Sequence, residues 1–247
     1  MLKRFLLGAT GAVFAASMVT TAANALLIDD FSTPLGVTSN AVGTVLAGGG
    51  AVVIVGVGSA ANLSVGAGIL GGDRELILTN TGPSTNVVSA NANGGSFQHN
   101  NGNGTGTSLL RWDGVGGGVL TNDFGLGGLD LSGIASIHIS VLDADLNGGS
   151  ITLTLYTDAD TFSTAGVVLL EGPSEHFLSL AAIAANITGL DGGVDLANVN
   201  AIELFINGID AMDLSIDIIE TVPEPASLTL LGAGIMGLGA VKRRRKA

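Results

Sequence analysis

The stretch SIHISVLDADLNGGSITLTLYT, residues 136–157, decides how this chain folds. Three apolar residues from Ile137 to Val141 alternate with small or polar ones, and Ile151 to Leu155 alternate in the same way with threonines. A period of two places every second side chain on one face, which is typical of a half-buried β-strand. Turn-forming residues separate the two halves, so the stretch predicts two strands paired as a hairpin.

Short apolar runs of the same kind recur through the chain, while the long polar side chains that cover helices are scarce. Together they predict an all-β fold, a single β-sandwich of jelly-roll type over residues 26–221. Two segments are expected to differ: the Gly- and Asn-rich Thr81–Gly106 as a long loop or an edge excursion, and the Ala-rich Leu178–Ile187 as a short helix. The recurring runs are Ala51–Val55, Glu75–Thr79, Ser108–Trp112, Ala201–Ile206 and Leu214–Ile219.

The amino terminus has the three parts of a secretory signal peptide. Lys3 and Arg4 precede an apolar run, and Ala23 and Ala25 form the small-x-small pattern that a signal peptidase accepts. We predict a signal peptide at residues 1–25, cleaved after Ala25. A retained membrane helix is the alternative, but the run is short and a cleavage site follows it.

Charge is distributed very unevenly along the sequence. Residues 26–222 contain twenty of the 21 acidic residues but only two of the nine basic ones, Arg74 and Arg111, so their net charge is −18. Such a body repels nucleic acid and anionic lipid, which makes both poor candidates for a partner. The chain has no cysteine, which excludes disulfides and thiolate metal sites.

One glycine-rich segment, Gly56–Ala61, resembles the fingerprint of a dinucleotide-binding loop. That fingerprint requires a helix directly after the glycines, whereas the following residues alternate like a strand and contain further glycines. A glycine-punctuated hairpin is the favoured interpretation.

A second motif concerns calcium. Asp143, Asp145 and Asn147 stand at alternate positions before Gly148, as in the opening of an EF-hand loop. The closing position holds Thr154 instead of glutamate, and strands flank the motif. A solvated turn is therefore favoured over a calcium site, and no other cofactor is predicted.

Catalytic motifs are missing from the sequence. The three histidines, His99, His138 and His176, lie in different segments and form neither a metal-binding nor a nucleophile motif. Trp112, the only tryptophan, lies between Arg111 and Asp113, and packing in the core is the common fate of such a residue. We therefore predict a protein that is not an enzyme.

The carboxyl terminus reads VPEPASLTLLGAGIMGLGAVKRRRKA. Sixteen uncharged residues, 226–241, would form a helix of about 24 Å at 1.5 Å per residue, which flanking cations can extend across a bilayer. Cations directly after the span predict a stop-transfer signal with a cytoplasmic end. These cations are Lys242, Arg243, Arg244, Arg245 and Lys246.

Residues 222–247 resemble a PEP-CTERM sorting signal, because Pro223, Glu224 and Pro225 precede a short apolar helix and a basic end. The resemblance implies a Gram-negative envelope protein that is anchored transiently in the inner membrane. It also implies an exosortase-type partner that processes the chain at or near Pro223–Pro225. Such proteins are associated with exopolysaccharide and biofilm matrix.

The sequence therefore favours a non-enzymatic protein of the cell surface or extracellular matrix, structural or adhering to polysaccharide. Two alternatives stay open: a secreted carbohydrate-active enzyme, and a calcium-dependent carbohydrate-binding module. The body contains few aromatic residues, whereas the walls of a catalytic cleft are usually rich in them, so the sequence favours the non-enzymatic interpretation.

Overall fold

A computed structural model describes residues 25–225, apart from residues 49, 84 and 115–122. These residues form thirteen β-strands, one α-helix, α1 (Leu180–Ala185), and a single 3-10 turn at Leu70–Gly72. The strands are β1 (Leu27–Asp29), β2 (Val37–Gly48), β3 (Ala51–Val65), β4 (Asp73–Asn80), β5 (Val87–Ala92), β6 (Phe97–Asn100), β7 (Gly106–Trp112), β8 (Ile134–Ala144), β9 (Ser150–Tyr156), β10 (Phe162–Val168), β11 (Ser174–Ser179), β12 (Ala201–Gly208) and β13 (Asp213–Pro223).

The strands form one antiparallel path in the order β10-β9-β12-β7-β4-β3-β5-β6-β13-β8-β11, with β1 beside β13 and β2 beside β3. The long β3 pairs with a different strand along each part of its length: residues 51–55 pair with β5, and residues 58–65 pair with β4. We call the strands from β10 to β4 the first sheet and those from β5 to β11 the second sheet. At the far ends, β10 approaches β11 and α1 packs against both. The sheet thus almost closes on itself, and the all-β prediction is confirmed.

Glycine allows β3 to change partners. Gly56 lies between the two paired portions with φ of +74°, in the left-handed region that favours glycine. Its N–H donates to the carbonyl of Asn86 at 2.7 Å. The Asn80 side-chain amide donates to the carbonyls of Ile54 and Asn86 at 3.3 and 3.0 Å. These bonds pair the backbone groups that become free where β4 and β5 diverge.

Inward-pointing side chains of the two sheets form one apolar core. Each fully buried large side chain in it contributes about 1.5–3 kcal/mol. Trp112 is fully buried there, as predicted, and its indole N–H donates to Asp29 at 2.9 Å. Other large core side chains are Phe31, Phe97, Ile54, Leu76, Leu78, Leu110, Ile137 and Ile139.

The predicted hairpin at residues 136–157 is wrong, although both of its strands exist. β8 pairs with β11 and β13, whereas β9 pairs with β10 and β12. The connection crosses from the second sheet to the first, and other strands hold it: the N–H of Asp145 donates to Asp213 and that of Gly148 to Leu169. Alternation identifies which face of a strand is buried but not which strand lies beside it.

The predicted loop Thr81–Gly106 is also wrong, because it contains β5 and β6. Val88, Ala90 and Ala92 point into the core in strict alternation, and Phe97 is fully buried. Small side chains and many asparagines conceal this period in the sequence. The other local predictions hold: Gly56–Ala61 lies within β3, which forms a hairpin with β4, and α1 lies inside the predicted helical segment.

Several predictions fall on residues outside the described ones: most of the signal peptide including Ala23, the membrane helix at 226–241, and the cations Lys242 to Lys246. In the part of the chain that the structure describes, no helix has the length and apolarity needed to cross a membrane. The jelly-roll connectivity, the signal peptide and the terminal membrane helix stay predictions.

Candidate functional site

The outer face of the first sheet carries a group of ionisable and aromatic side chains around Arg111, which we call the Arg111 face. Arg111 lies on β7, with Glu75 of β4 and Glu203 of β12 directly opposite it on either side. Side chains in such cross-strand positions are neighbours, with Cβ atoms about 5 Å apart. Because Leu110 and Trp112 point into the core, Arg111 points outward.

Contacts on several sides hold the Arg111 guanidinium in place. Its Nε lies 3.2 Å from Oδ2 of Asp113, and Nη2 donates to the carbonyl of Asp123 at 3.3 Å. The guanidinium carbon lies 5.3 Å from the ring centroid of Phe124 and 5.7 Å from that of Tyr156. Both distances are within the range of cation–π attraction. The result is a fixed, nearly buried cation with aromatic rings beside it.

Acidic side chains outnumber this cation, and their pKa values respond. Burial raises the pKa of Asp113 to about 6; Arg111 opposes the rise, and the charges of Asp73 and Asp123 add to it. The pKa of Asp73 is also raised, first by burial and then by Asp123. Burial first, and the neighbouring carboxylates second, therefore favour proton uptake by Asp113 and Asp73 at a higher pH than usual.

Tyr156 and Glu203 extend the group across the sheet. The phenol donates a long hydrogen bond to Oε1 of Glu203 at 3.4 Å. Burial raises the pKa of Tyr156 to about 12, and the charge of Glu203 contributes. Burial also raises the pKa of Glu203, while Arg111 lowers it. Several perturbed pKa values gathered on one face are a physical sign of a functional site.

The accessible margin of the Arg111 face is aromatic. Phe205 lies two residues beyond Glu203 on β12 and is 36% exposed, in register with Leu109 and Thr152. Tyr156 packs against Phe162, with ring centroids 5.1 Å apart. Rings and hydroxyl groups therefore border the charged cluster on rigid strands, as a binding surface requires.

Of the predicted calcium ligands, Asp143 lies on β8, and Asp145 and Asn147 lie in the connection that follows it. Asp145 accepts the N–H of Asp213 at 2.7 Å, and Asn147 accepts the N–H of Glu171 at 2.9 Å, so two of the three oxygens already cap backbone groups. Asp143 lines a surface cavity of about 240 Å³ together with residues of β6 and β13. Among the described residues, no three His, Asp or Glu side chains are grouped to hold a metal ion. The solvated turn stays the favoured interpretation, and calcium binding stays its untested alternative.

The histidines do not come together. His99, placed in a loop by the sequence, is fully buried on β6, with Nδ1 2.8 Å from Ser108 Oγ; burial lowers its pKa to about 4. His176 lies 2.9 Å from Ser174 Oγ. His138 is on the outer face of the second sheet, between two glutamates.

The sequence contains two closely spaced acidic pairs, Asp29 with Asp30 and Asp158 with Asp160, and the first member of each has a structural role. Asp29 is buried and accepts two hydrogen bonds from Arg74, at 3.0 and 2.8 Å, which ties β1 to β4. Burial raises the pKa of Asp29 despite this ion pair. Asp158 accepts the backbone N–H groups of Asp160 and Thr161 and so caps a turn. Neither pair offers free oxygens gathered around one point.

The sorting motif begins where the body ends. Pro223 is the last residue of β13 and pairs with Ile134 of β8, and Glu224 and Pro225 are exposed. The predicted signal cleavage point lies beside it, because Leu26 N–H donates to Thr221 Oγ1 at 2.7 Å. Glu224 and Pro225 are therefore accessible directly after the last strand of the body.

A family model of the PEP-CTERM protein-sorting motif matches residues 221–246. This chain carries a PEP-CTERM sorting signal. The signal indicates an exported protein sorted to the cell envelope and implies processing by an exosortase-type enzyme. Among curated proteins, none matches the sequence significantly.

Solved structures similar to this PEP-CTERM protein include carbohydrate-binding modules. One is the family 11 module of the cellulosomal cellulase Lic26A-Cel5E of Clostridium thermocellum, 12% identical over 83% of this chain and 97% of that chain, with a TM-score of 0.40. Another is TmCBM61 in complex with beta-1,4-galactotriose, 10% identical over 60% of this chain and 82% of that chain, with a TM-score of 0.30.

Sequence reasoning missed the Arg111 face. A signal was present in Arg111-Trp112-Asp113, because a buried tryptophan on a strand requires its two neighbours to point to the other face. Tyr156 and Glu203 lie in the site only because β9 pairs with β12, and the sequence does not specify that pairing.

Proposed function

We propose that this PEP-CTERM protein is a non-enzymatic component of the cell surface or extracellular matrix that binds neutral polysaccharide through the Arg111 face. The observation that carries the proposal is the aromatic margin of Tyr156, Phe162 and Phe205 next to a fixed cluster of charged groups. Sugar rings place apolar C–H faces against aromatic rings, while their hydroxyl groups bond carboxylates, phenols and guanidinium groups.

Charge selects the class of polysaccharide. Five acidic residues surround the single cation Arg111: Asp73, Glu75, Asp113, Asp123 and Glu203. Their excess negative charge repels uronate, sulfate and phosphate groups. Neutral hexose polymers meet no such penalty. Asp73, Glu75 and Asp113 are buried and act through their charge, whereas the partly exposed carboxylates of Asp123 and Glu203 can accept hydrogen bonds from sugar hydroxyl groups.

Affinity electrophoresis through gels that contain dextran, galactomannan or polygalacturonate tests the binding proposal. Neutral polymers should retard the exported protein and polygalacturonate should not. Tyr156→Ala and Phe205→Ala should each reduce the retardation, whereas Leu170→Ala, an exposed residue in the loop after β10, should leave it unchanged. Equal mobility of wild type and both ring variants in neutral gels would contradict the proposal.

The sorting part of the proposal has its own test, the mass of the mature surface protein. Glu224→Ala or Pro225→Ala should leave membrane insertion intact but block release, since neither residue belongs to the apolar span. Replacing the cations Lys242 to Lys246 with serine should weaken the orientation of the tail. Surface protein that retains residues 232–247 in cells with an exosortase would favour a permanent anchor.

One observation favours a hydrolase as the second candidate. Asp113, with its pKa raised to about 6, lies near the charges of Asp73 and Asp123, and glycoside hydrolases use a carboxylic acid and a carboxylate in this way. Against it, Asp113 is only 2% exposed and its side chain pairs with Arg111. Release of reducing sugars from the polymers that bind, lost in Asp113→Asn, would establish the hydrolase instead.

A further inference from the structure

The outer face of the second sheet carries an exposed aromatic ring held against a histidine, which we call the Phe177 platform. Phe177 of β11 and His138 of β8 are directly opposite in register, and their rings stack with centroids 4.6 Å apart and planes 11° apart. Phe177 is 59% exposed. Since one face of its ring covers the imidazole, the opposite face is turned away from β8 and is free to meet a ligand.

Two glutamates hold the histidine beneath that ring. Nε2 of His138 contacts Oε2 of Glu175 at 2.5 Å, and Nδ1 contacts Oε1 of Glu220 at 3.3 Å. Ser140 Oγ donates to the other oxygen of Glu175 at 3.2 Å. The network joins β11, β8 and β13, so it fixes the plane on which Phe177 rests.

The surroundings of the platform indicate the class of ligand. The cross-strand pair next to the rings on this face is Ser179 and Ser136, and Ser140 and Glu175 lie on the other side. These four side chains are small or charged, and Leu142, two residues beyond Ser140 on β8, is the exposed apolar neighbour along this strand. The core of a protein–protein interface is depleted of charge and rich in apolar area, whereas a sugar needs one ring surrounded by hydrogen-bonding groups. The glutamates contact opposite nitrogens of the imidazole and thus do not converge on a metal ion.

We propose that the Phe177 platform is a second saccharide site, and that the chain is a two-sided cross-linker of neutral polysaccharide. Phe177 and Phe205 are the two aromatic residues among the exposed large apolar side chains of the described residues, and they lie on the outer faces of different sheets. Two sites on opposite faces cannot bind the same short stretch of polymer. They can therefore join two separate polysaccharide chains. This inference rests on the proposed function of the Arg111 face for the first of the two sites.

The test combines a binding assay with a cross-linking assay on the exported protein. Wild type should bind neutral polysaccharide in affinity gels and raise the low-shear viscosity of its solution. Phe177→Ala should still bind through the Arg111 face but should lose the viscosity increase, and its retention on immobilised polymer should fall about tenfold or more because avidity is lost. Phe177→Tyr, which keeps the ring, should behave as wild type, and Leu170→Ala is the control for removal of an exposed apolar side chain.

The outcomes separate the two proposals. A Phe177→Ala protein that cross-links as wild type does would overturn the second site while leaving the first intact. If Phe177→Ala abolishes binding and Phe205→Ala and Tyr156→Ala do not, the Arg111 face is wrong and the platform is the single site. Self-association without polysaccharide, measured by sedimentation and lost in Phe177→Ala, would make the platform a protein contact and overturn the inference. Trp112 fluorescence confirms that each variant is folded.

Discussion

Replacing Asp113 with asparagine should stabilise the protein at neutral pH much more than at acidic pH. The pKa of Asp113 is raised in the fold to about 6 from 3.8, chiefly because burial disfavours the charged carboxylate. A raised carboxyl pKa means that the folded state binds the proton more tightly than the unfolded state. Its contribution to stability is therefore complete below about pH 4 and is lost as the pH rises through 6.

The size of the effect follows from the two pKa values. They differ by about two units, and each unit corresponds to 1.36 kcal/mol, which gives about 3 kcal/mol. Arg111 favours the charged form while Asp73 and Asp123 oppose it, and the shift already includes all three. Asparagine keeps the shape of the side chain but does not titrate. The free energy of unfolding of Asp113→Asn relative to wild type should therefore rise by about 3 kcal/mol from acidic to neutral pH.

Urea denaturation followed by fluorescence measures this, because Trp112 is the only tryptophan and is fully buried. Titrations should extend from about pH 3.5 to pH 7.5. Asp158→Asn is the matched control: hydrogen bonds from the Asp160 and Thr161 backbone lower the Asp158 pKa, so its effect should have the opposite sign. If the difference between Asp113→Asn and wild type stays flat or falls with pH, burial does not govern this carboxyl group.

Three further predictions concern other parts of the chain. Asp29→Ala leaves the buried Arg74 guanidinium without its carboxylate, so urea titrations should show that the free energy of unfolding falls by about 3–5 kcal/mol. A fall below about 1 kcal/mol would contradict the buried ion pair. Amino-terminal sequencing of the exported protein should read Leu26 first, and a start at Met1 would refute cleavage after Ala25. Millimolar calcium should raise the melting temperature above that in chelator, and Asp143→Asn with Asp145→Asn should remove the rise; an unchanged wild-type midpoint would end the calcium hypothesis.

Strands were readable from this sequence because burial in a sheet imposes a period of two on neighbouring residues. Segments with branched apolar side chains, such as Ile151–Leu155, carry that period openly and lie on strands. β5 buries alanines, and the contrast between its two faces is too small to stand out from Gly and Asn neighbours. A strand is thus easier to recognise in the sequence when its inward side chains are large. Strands with small inward side chains are buried equally well but are harder to recognise.

The pairing of the strands and the candidate site could not be predicted from the sequence, for the same reason. Residues 136–157 contain two strands that bury one face each in the same core, and such a pattern fits a hairpin and a crossing between sheets equally well. The Arg111 face depends on β7, β9 and β12 lying side by side, which brings residues about 45 positions apart into contact. Local patterns do not encode such distances, so only the orientation of Arg111 could be inferred in advance.

Both arginines of the body are buried, and this restricts how the protein can be retained outside the cell. Arg74 is fully buried with Asp29, and Arg111 is 8% exposed on its face. Over the described residues the surface therefore offers acidic groups without a compensating basic side chain. The cationic run of the sequence, Lys242 to Lys246, belongs to the tail. Exosortase processing at the tail together with cleavage of the signal peptide would change the net charge from −12 for the full chain to −18 for residues 26–222. A polyanion of this kind is repelled by acidic polymers and anionic membranes. If the tail is released, the two proposed sites would retain the protein through uncharged contacts, to which the exposed rings of Phe205 and Phe177 would contribute.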